Sequence, residues 1–378
     1  MEQSGTSFAA IETEKGNSMK SVYVTSVGTY SGKTALSLGL GLRMQAAGLS
    51  VNYLKPVSTQ PHEVGGRIID EDADFVRRTL GLETPPWELS PVVITSELLA
   101  EVMAGTVERD FLGEIEEAYQ RASEEHDVLI IEGGASMREG YTVGVNTLSV
   151  VERLNVPAVS VVSFHGEECL AGMCILDDVL ASQRRLGDHL IGVVINAVPR
   201  EDMDYIRERA VPFLESQGIK VYGVLPYDPY LRALSVGEVI EQLNAKVLTG
   251  SHLRERLIEH MSVGAMSVEA AMPRFRRQLN KAVITGGDRT DIQAAALETS
   301  TTCLVLTGNL QPTATIVKRA EEMNVAVLLV PESTLETVEQ LDRLFGRTSL
   351  GQPEKLGRFQ AMLSEHLNYS ELIKDLGL

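Results

Sequence analysis

Short apolar runs recur along the first part of the chain, at Val22–Thr25, Val51–Leu54, Val128–Ile131, Ala158–Val162, Ile191–Ile195 and Val221–Leu225. Amphipathic segments fill most of the gaps, among them Ser96–Ala104, Phe111–Ser123 and Met203–Gln217. Strands alternating with helices predict an α/β fold, a mainly parallel sheet of about six or seven strands covered on both faces. Two prolines in Leu225-Pro226-Tyr227-Asp228-Pro229 interrupt the pattern and mark a boundary. A second, smaller α/β series follows, with at least three parallel strands expected at Ala282–Thr285, Cys303–Leu306 and Val325–Val330. Its helices are expected around Val236–Leu243, Val268–Leu279, Asp288–Thr299, Thr313–Met323 and Leu335–Leu344. The pattern divides the chain into a disordered leader (1–18), a first domain (19–228), a second domain (229–349) and a helical tail (350–378). No internal repeat or low-complexity tract appears.

The first strand runs into Ser26-Val27-Gly28-Thr29-Tyr30-Ser31-Gly32-Lys33-Thr34, and a helix-compatible run from Ala35 to Ala47 follows. Strand, glycine-containing loop, Gly-Lys-Thr and helix form the layout that wraps backbone N–H groups around a nucleotide's β-phosphate. Gly28, Tyr30, Ser31, Gly32, Lys33, Thr34 and Ala35 are the expected nucleotide-binding positions. In that layout Lys33 reaches the β/γ oxygens and the Thr34 hydroxyl sits on Mg²⁺. The loop departs from the usual spacing, because Val27 stands where the first glycine belongs and Gly28 comes one step later.

Composition narrows the partners. The 378 residues hold 34 Lys and Arg against 52 Asp and Glu, a net charge of −18, which argues against nucleic acid or an anionic membrane surface. No apolar run is long enough to span a bilayer, and the polar first 18 residues lack the apolar core of a secretory signal. Met19-Lys20, just before the first strand, reads as a natural start. Cys169, Cys174 and Cys303 form no C-x-x-C pair and read as thiols in a reducing, cytoplasmic compartment rather than as a metal site.

Further residues suit a nucleotide site. Glu132 ends the strand Val128–Ile131, where P-loop proteins carry an acid that approaches Mg²⁺, and Gly133-Gly134 admits close backbone approach. Lys55, in Lys55-Pro56-Val57-Ser58, ends the neighbouring strand at the edge where open α/β sheets bind ligands, although an edge lysine is often merely solvated. Asp70-Glu71-Asp72-Ala73-Asp74 opens a helix. The helix dipole alone favours acids there, but Asp72 would also complete a Thr34/Asp72/Glu132 magnesium set. His165, on a strand-end loop, is available as an acid or base or is simply exposed, and Trp87 beside Pro85-Pro86 is expected to pack a loop.

Val24 to Thr34, Lys55-Pro56-Val57-Ser58, Asp72-Ala73, Ile131-Glu132-Gly133-Gly134, Ile195-Asn196 and Gly223-Val224-Leu225-Pro226 succeed one another in an order that resembles the dethiobiotin synthetase family. The resemblance implies ATP and Mg²⁺, with Lys33, Thr34, Asp72 and Glu132 around them and Asn196 at the adenine end. The family opens its P-loop with Gly-Thr-Asp-Thr, whereas Ser26-Val27-Gly28-Thr29 stands here. Its Ser-Gly after Lys-Pro-Val is Ser58-Thr59, and its Glu-Gly-Ala-Gly-Gly is Glu132-Gly133-Gly134-Ala135-Ser136. These departures, and a second domain that the family lacks, argue against biotin synthesis.

Gly286-Gly287-Asp288-Arg289-Thr290 follows a strand and opens a helix, and with its flanks resembles the DRTGG domain, except that Asp291 takes the place of a glycine. The pairing of the two domains, over about Met19 to Ser349, is similar to the N-terminal region of the long form of phosphate acetyltransferase. The resemblance implies a regulatory portion without the acetyltransferase catalytic domain. Gly286, Gly287, Asp288 and Arg289, with Gly308 and Asn309 of a neighbouring loop and Pro331–Thr334 of a third, would share one sheet edge. That edge suits a phosphate or carboxylate, or a polar neutral group given Asp288, or else is a plain capped turn.

Three functions compete. The chain is a Mg-ATP-binding regulatory protein acting on a metabolic enzyme partner and self-associating. Alternatively it is an ATP-dependent ligase that phosphorylates a small carboxylate or carbamate, with Lys55 stabilising charge at the γ-phosphate and Ser58, Thr59 and Ser136 facing the substrate. The third, a dimer-switching partitioning ATPase, is disfavoured because no lysine precedes Lys33 within the loop.

Overall fold

The computed structural model describes residues 20–124, 126–164, 172–346, 350 and 352–378. The leader, Met19, His165 and Cys169 lie outside them. The chain forms two compact units. One comprises the residues up to Ile195, Asp204–Val224 and Leu367–Leu378, and the other Asn196–Met203 and Leu225–His366.

Among the described residues, the first unit contains ten strands: β1 Lys20–Thr25, β2 Val51–Leu54, β3 Val57–Ser58, β4 Pro61–Val64, β5 Arg67–Asp70, β6 Val92–Val93, β7 Val128–Glu132, β8 Ala158–Ser163, β9 Leu190–Val198 and β10 Val221–Pro226. The last residues of β9 and β10 pass into the second unit. All six expected strands join one sheet, in the order β10-β9-β8-β1-β7-β2. The pairs β1–β7, β1–β8 and β2–β7 are parallel. Val22, Tyr23 and Val24 of β1 and every residue of β7 are buried, as strands covered on both faces must be. Helices α1 Lys33–Ala46, α2 Glu71–Leu80, α3 Ser96–Ala104, α4 Phe111–Ser123, α5 Thr147–Leu154 and α6 Met173–Leu186 also belong to this unit.

The register matters most for the site. Val24 lies opposite Glu132, and the Gly133 N–H donates to the Val24 carbonyl at 2.9 Å. The end of β7 is therefore level with the start of the loop that follows β1. A slip of one residue would turn Glu132 to the other face of the sheet.

The expected helix Met203–Gln217 is not continuous. A short α-helix, Met203–Tyr205, passes into a π-helical turn, Ile206–Ala210, before Val211–Ser216 resumes. Pro212 has no N–H to offer the carbonyl one turn back, so the ladder cannot run through unbroken. Cys174 is disulfide-bonded rather than a thiol, whereas Cys303 is free and buried, with its thiol pushed up by burial. Trp87 is 42% exposed, and its ring is covered by the Arg67 guanidinium at 4.0 Å.

In the second unit, β11 Leu234–Ser235 pairs with β13 Leu257–Ile258. Strands β12 Lys246–Thr249, β14 His260–Val263, β15 Lys281–Gly286, β16 Thr301–Thr307 and β17 Ala326–Leu329 form a sheet in the order β12-β17-β16-β15-β14. The pairings are parallel except for β12 with β17. The edge strands β12 and β14 are additions to the sequence pattern. Each has four residues and is only partly buried, so pairing with a neighbour defines them where hydrophobic periodicity does not. Two apolar clusters, around Phe275, Ile292 and Ile316 and around Val239, Cys303 and Leu341, fill the two faces of the sheet.

The tail is divided. Helix Pro353–His366 belongs to the second unit and Tyr369–Asp375 to the first. In the first unit, Asp375 accepts from Lys220 at 2.5 Å and from the Tyr222 hydroxyl at 2.8 Å, and Arg43 stacks on the Tyr369 ring at 4.1 Å. Leu372 is fully buried. Leu372→Ala is expected to destabilise the first unit by about 2–5 kcal/mol. Hydrogen exchange checks this: the amides of β10 lose protection while those of β15 and β16 keep theirs.

Candidate functional site

The loop between β1 and α1 is built around one lysine. Lys33 is buried, and its Nζ donates to Ser26 Oγ at 2.7 Å and to the Ala135 carbonyl at 2.8 Å. Ser26 in turn donates to the Gly28 carbonyl at 2.6 Å. Gly32 has φ 98°, a left-handed conformation that a side chain would strain, and it starts α1 with no side-chain cap. By contrast α2, α3, α4 and α5 are capped by Asp70, Thr95, Asp110 and Asn146. Helix α1 also carries no acid in its first turn. Its first amides are thus left for something other than a side chain of the helix end. Tyr30 is exposed at φ 52°, and Ser31 and Ala35 are buried.

Next to the loop, Thr34 Oγ1 donates to Glu132 Oε1 at 2.6 Å and the Tyr53 hydroxyl donates to Glu132 Oε2 at 3.0 Å. Burial raises the Glu132 pKa, opposed by the charge of Lys55. Burial also pulls the Lys33 ammonium down to about 8, against the pull of Glu132. No carboxylate among the described residues lies within ion-pair distance of Lys33.

Lys55 is placed differently. Its Nζ contacts Asp70 Oδ1 at 2.9 Å and Asp72 Oδ2 at 3.0 Å. Burial works against its charge, but the two carboxylates outweigh burial and hold its pKa above the ordinary value. Asp70, fully buried, also accepts from Ser58 Oγ and caps α2 through the Ala73 N–H at 2.7 Å. Glu139 reaches back to the Ala135 N–H.

The structure therefore joins Thr34 to Glu132 directly and ties Asp72 to Lys55. Asn196 lies on β9, where the chain passes from the first unit into the second. Tyr53, Asp70, Ser26 and Glu139 were missed as site residues. Asp70 left a signal as the first acid of the cluster at the start of α2, and Ser26 as the first residue of the phosphate loop. Among the described residues no three His, Cys, Asp or Glu side chains converge on a metal position, and no helix is long and apolar enough to cross a membrane.

In the second unit the three loops at the carboxyl ends of β15, β16 and β17 meet. The Gly308 N–H donates to the Glu332 carbonyl at 2.8 Å and the Asn309 N–H to that of Val330 at 2.9 Å. A side chain at Gly287 would collide with the Leu310 carbonyl. The expected helix from Asp288 starts at Thr290, and Arg289 holds Asp291 with two bonds of 3.0 Å. Asp288 turns back over Gly286.

A family model described as an AAA domain matches residues 20–235, more than half of the chain. The chain belongs to this AAA-domain family. A DRTGG domain model matches residues 238–344. The chain is 26% identical over 375 residues to the phosphate acetyltransferase of Nitrosomonas europaea, covering 95% of this chain and 52% of that protein. The phosphate acetyltransferase of Pseudomonas putida is 28% identical over 364 residues, covering 92% and 50%. The ATP-dependent dethiobiotin synthetase BioD of Methanococcus vannielii is 27% identical over 206 residues, covering 54% of this chain and 92% of that protein. The chain thus pairs a P-loop AAA domain similar to dethiobiotin synthetase with a DRTGG domain, and it spans about half the length of the phosphate acetyltransferases it matches.

Asp70→Ala would strip Lys55 Nζ, Ser58 Oγ and the Ala73 N–H of one acceptor group at once. The expected loss is about 3–5 kcal/mol in urea unfolding. Replacing Lys55 by Met in the same chain should recover part of it, because the buried cation is then gone.

Proposed function

We propose that the first unit binds ATP with Mg²⁺ in the loop between β1 and α1, and that nucleotide occupancy regulates an enzyme partner. One observation carries this reading: among the described residues Lys33 is a buried cation with neutral acceptors only, beside a helix end whose N–H groups have no side-chain cap. A polyphosphate supplies the missing negative charge and takes the uncapped amides together.

Magnesium fits the donor set. Mg²⁺ is commonly held by one or two carboxylates, phosphate oxygens and water, not by a full protein cage. Thr34 Oγ1 and the buried Glu132 carboxylate, 2.6 Å apart, would hold it. When bound, the ion neutralises charge on the phosphate oxygens and offsets the burial that raises Glu132.

Regulation is favoured over ligation by what is already engaged. The ligase reading puts the Lys55 ammonium at the γ-phosphate and Ser58, Thr59 and Ser136 at the substrate. Asp70 and Asp72 already hold Lys55, and Asp70 holds the Ser58 hydroxyl. A ligase remains the alternative, favoured by the similarity to dethiobiotin synthetase over 92% of that protein. A partner enzyme and self-association belong to the regulatory reading.

Lys33→Ala is expected to weaken Mg-ATP binding by about two to three orders of magnitude in calorimetry while leaving the thermal transition in place. Unchanged affinity would remove the loop from the site. Glu132→Gln should flatten the Mg²⁺ dependence of ATP affinity. In phosphate-release assays, turnover stimulated by a small carboxylate or amine would favour the ligase.

Binding should also depend on pH with a definite sign. Phosphate favours the ammonium of Lys33, so its pKa rises from about 8 on binding. Between about 8 and the ordinary 10.5 the complex takes up a proton, and affinity falls as pH climbs through that window. In the same window the unliganded fold gains stability with pH, because the unfolded chain holds the proton that folded Lys33 releases. Calorimetry at pH 8.5 in buffers of different ionisation enthalpy reads the uptake directly.

A further inference from the structure

Glu132 closes β7 with a buried carboxylate that has no cation of its own. Among the described residues no lysine or arginine lies within ion-pair distance of it, and the nearby Lys55 is held by Asp70 and Asp72. Its two oxygens are met instead by two neutral hydroxyls from different elements. Thr34 of α1 donates to Oε1 at 2.6 Å, and Tyr53 of β2 donates to Oε2 at 3.0 Å. The charge is left for something else to compensate, while the orientation of the group is fixed at both oxygens.

The hold by Tyr53 is built into the sheet. β2 pairs with β7 so that Tyr53 lies opposite Ile130, two residues before Glu132. Residues two apart share a face of a strand, and Tyr53 shares that face with them. Its hydroxyl has to climb about 6–7 Å along the face to reach Glu132, a span that suits a tyrosine and no shorter side chain. The ring is fully buried and cannot swing away. Packing alone would be served by phenylalanine, which fills the same space with no buried hydroxyl to satisfy. What the hydroxyl adds is its hold on the carboxylate.

We propose that Tyr53 sets the metal preference of the nucleotide site, selecting Mg²⁺ over Ca²⁺ by keeping Glu132 Oε2 from the ion. The inference rests on the Mg-ATP reading of the loop. Ca²⁺ takes a larger, flexible set of oxygens and readily accepts both oxygens of one carboxylate. Mg²⁺ is smaller, demands near-octahedral geometry and keeps several waters, so one carboxylate oxygen serves it. A carboxylate pinned at both oxygens cannot turn to chelate. Glu132 then offers the ion Oε1, beside the Thr34 hydroxyl, which meets the needs of Mg²⁺ and falls short of those of Ca²⁺. Tyr53 acts through Glu132 and is a positioning residue.

Calorimetry on the full chain measures ATP affinity with Mg²⁺, with Ca²⁺ and with EDTA. The wild type should favour Mg-ATP over Ca-ATP. Tyr53→Phe should lower that ratio about tenfold, the scale of one hydrogen bond to a charged group, and leave metal-free ATP affinity unchanged. In Glu132→Gln the ratio should already be low, and adding Tyr53→Phe should not move it further. A ratio preserved in Tyr53→Phe, an equal loss under all three conditions, or a further drop in the Glu132→Gln background would overturn the proposal while leaving the nucleotide reading intact. Absence of ATP binding by the wild type under every condition would overturn both, so the two failures are distinguishable. An unshifted near-ultraviolet dichroism spectrum checks that each variant keeps the fold.

Discussion

The parallel register of β1 with β7 is the constraint on which the candidate site depends. It sets Val24 opposite Glu132, so that the acid ending one strand meets the loop leaving the next. Thr34, the second residue of α1, then lies within 2.6 Å of that acid, and Tyr53 from β2 closes the other side. None of these groups is near another in sequence. A buried parallel sheet fixes their height, because a slip of one residue would invert every side chain along β7.

Charge compensation divides the two lysines of this region. Lys55 is surrounded by Asp70 and Asp72 and is electrostatically complete. Lys33, equally buried, has a hydroxyl and a carbonyl but, among the described residues, no carboxylate. A buried cation without a counter-charge is costly to the fold, and burial accordingly pulls its pKa down to about 8. The unsatisfied charge, the uncapped start of α1 and the buried acid are the features on which the proposed Mg-ATP binding rests.

The second unit repeats the theme with the opposite balance. Its sheet also gathers loops at the carboxyl edge, but its single cation there is already met by Asp291. The glycine replaced at this position in the DRTGG pattern is thus more than a neutral departure, since the new side chain reaches the neighbouring arginine. Similarity to phosphate acetyltransferases runs over both units.

Local pattern determined much of this protein. All six strands of the first sheet, the phosphate loop and the place of Glu132 at a strand end were legible because each is written in consecutive residues, as an apolar run, a glycine-lysine pair or an acid closing the run. The two edge strands Lys246–Thr249 and His260–Val263 were not legible, because four half-buried residues become a strand only when a neighbour supplies the hydrogen bonds. In the acidic cluster at the start of α2, Asp70 and Asp72 look alike; the fold buries Asp70 completely and gives it Lys55, Ser58 and the cap of α2 together. Tyr53 read as one apolar strand residue until the sheet order brought its hydroxyl to Glu132. Sequence alone determined which chemical groups the chain carries and where its elements begin. Tertiary structure decided which charges find partners, because that depends on distances between residues far apart along the chain.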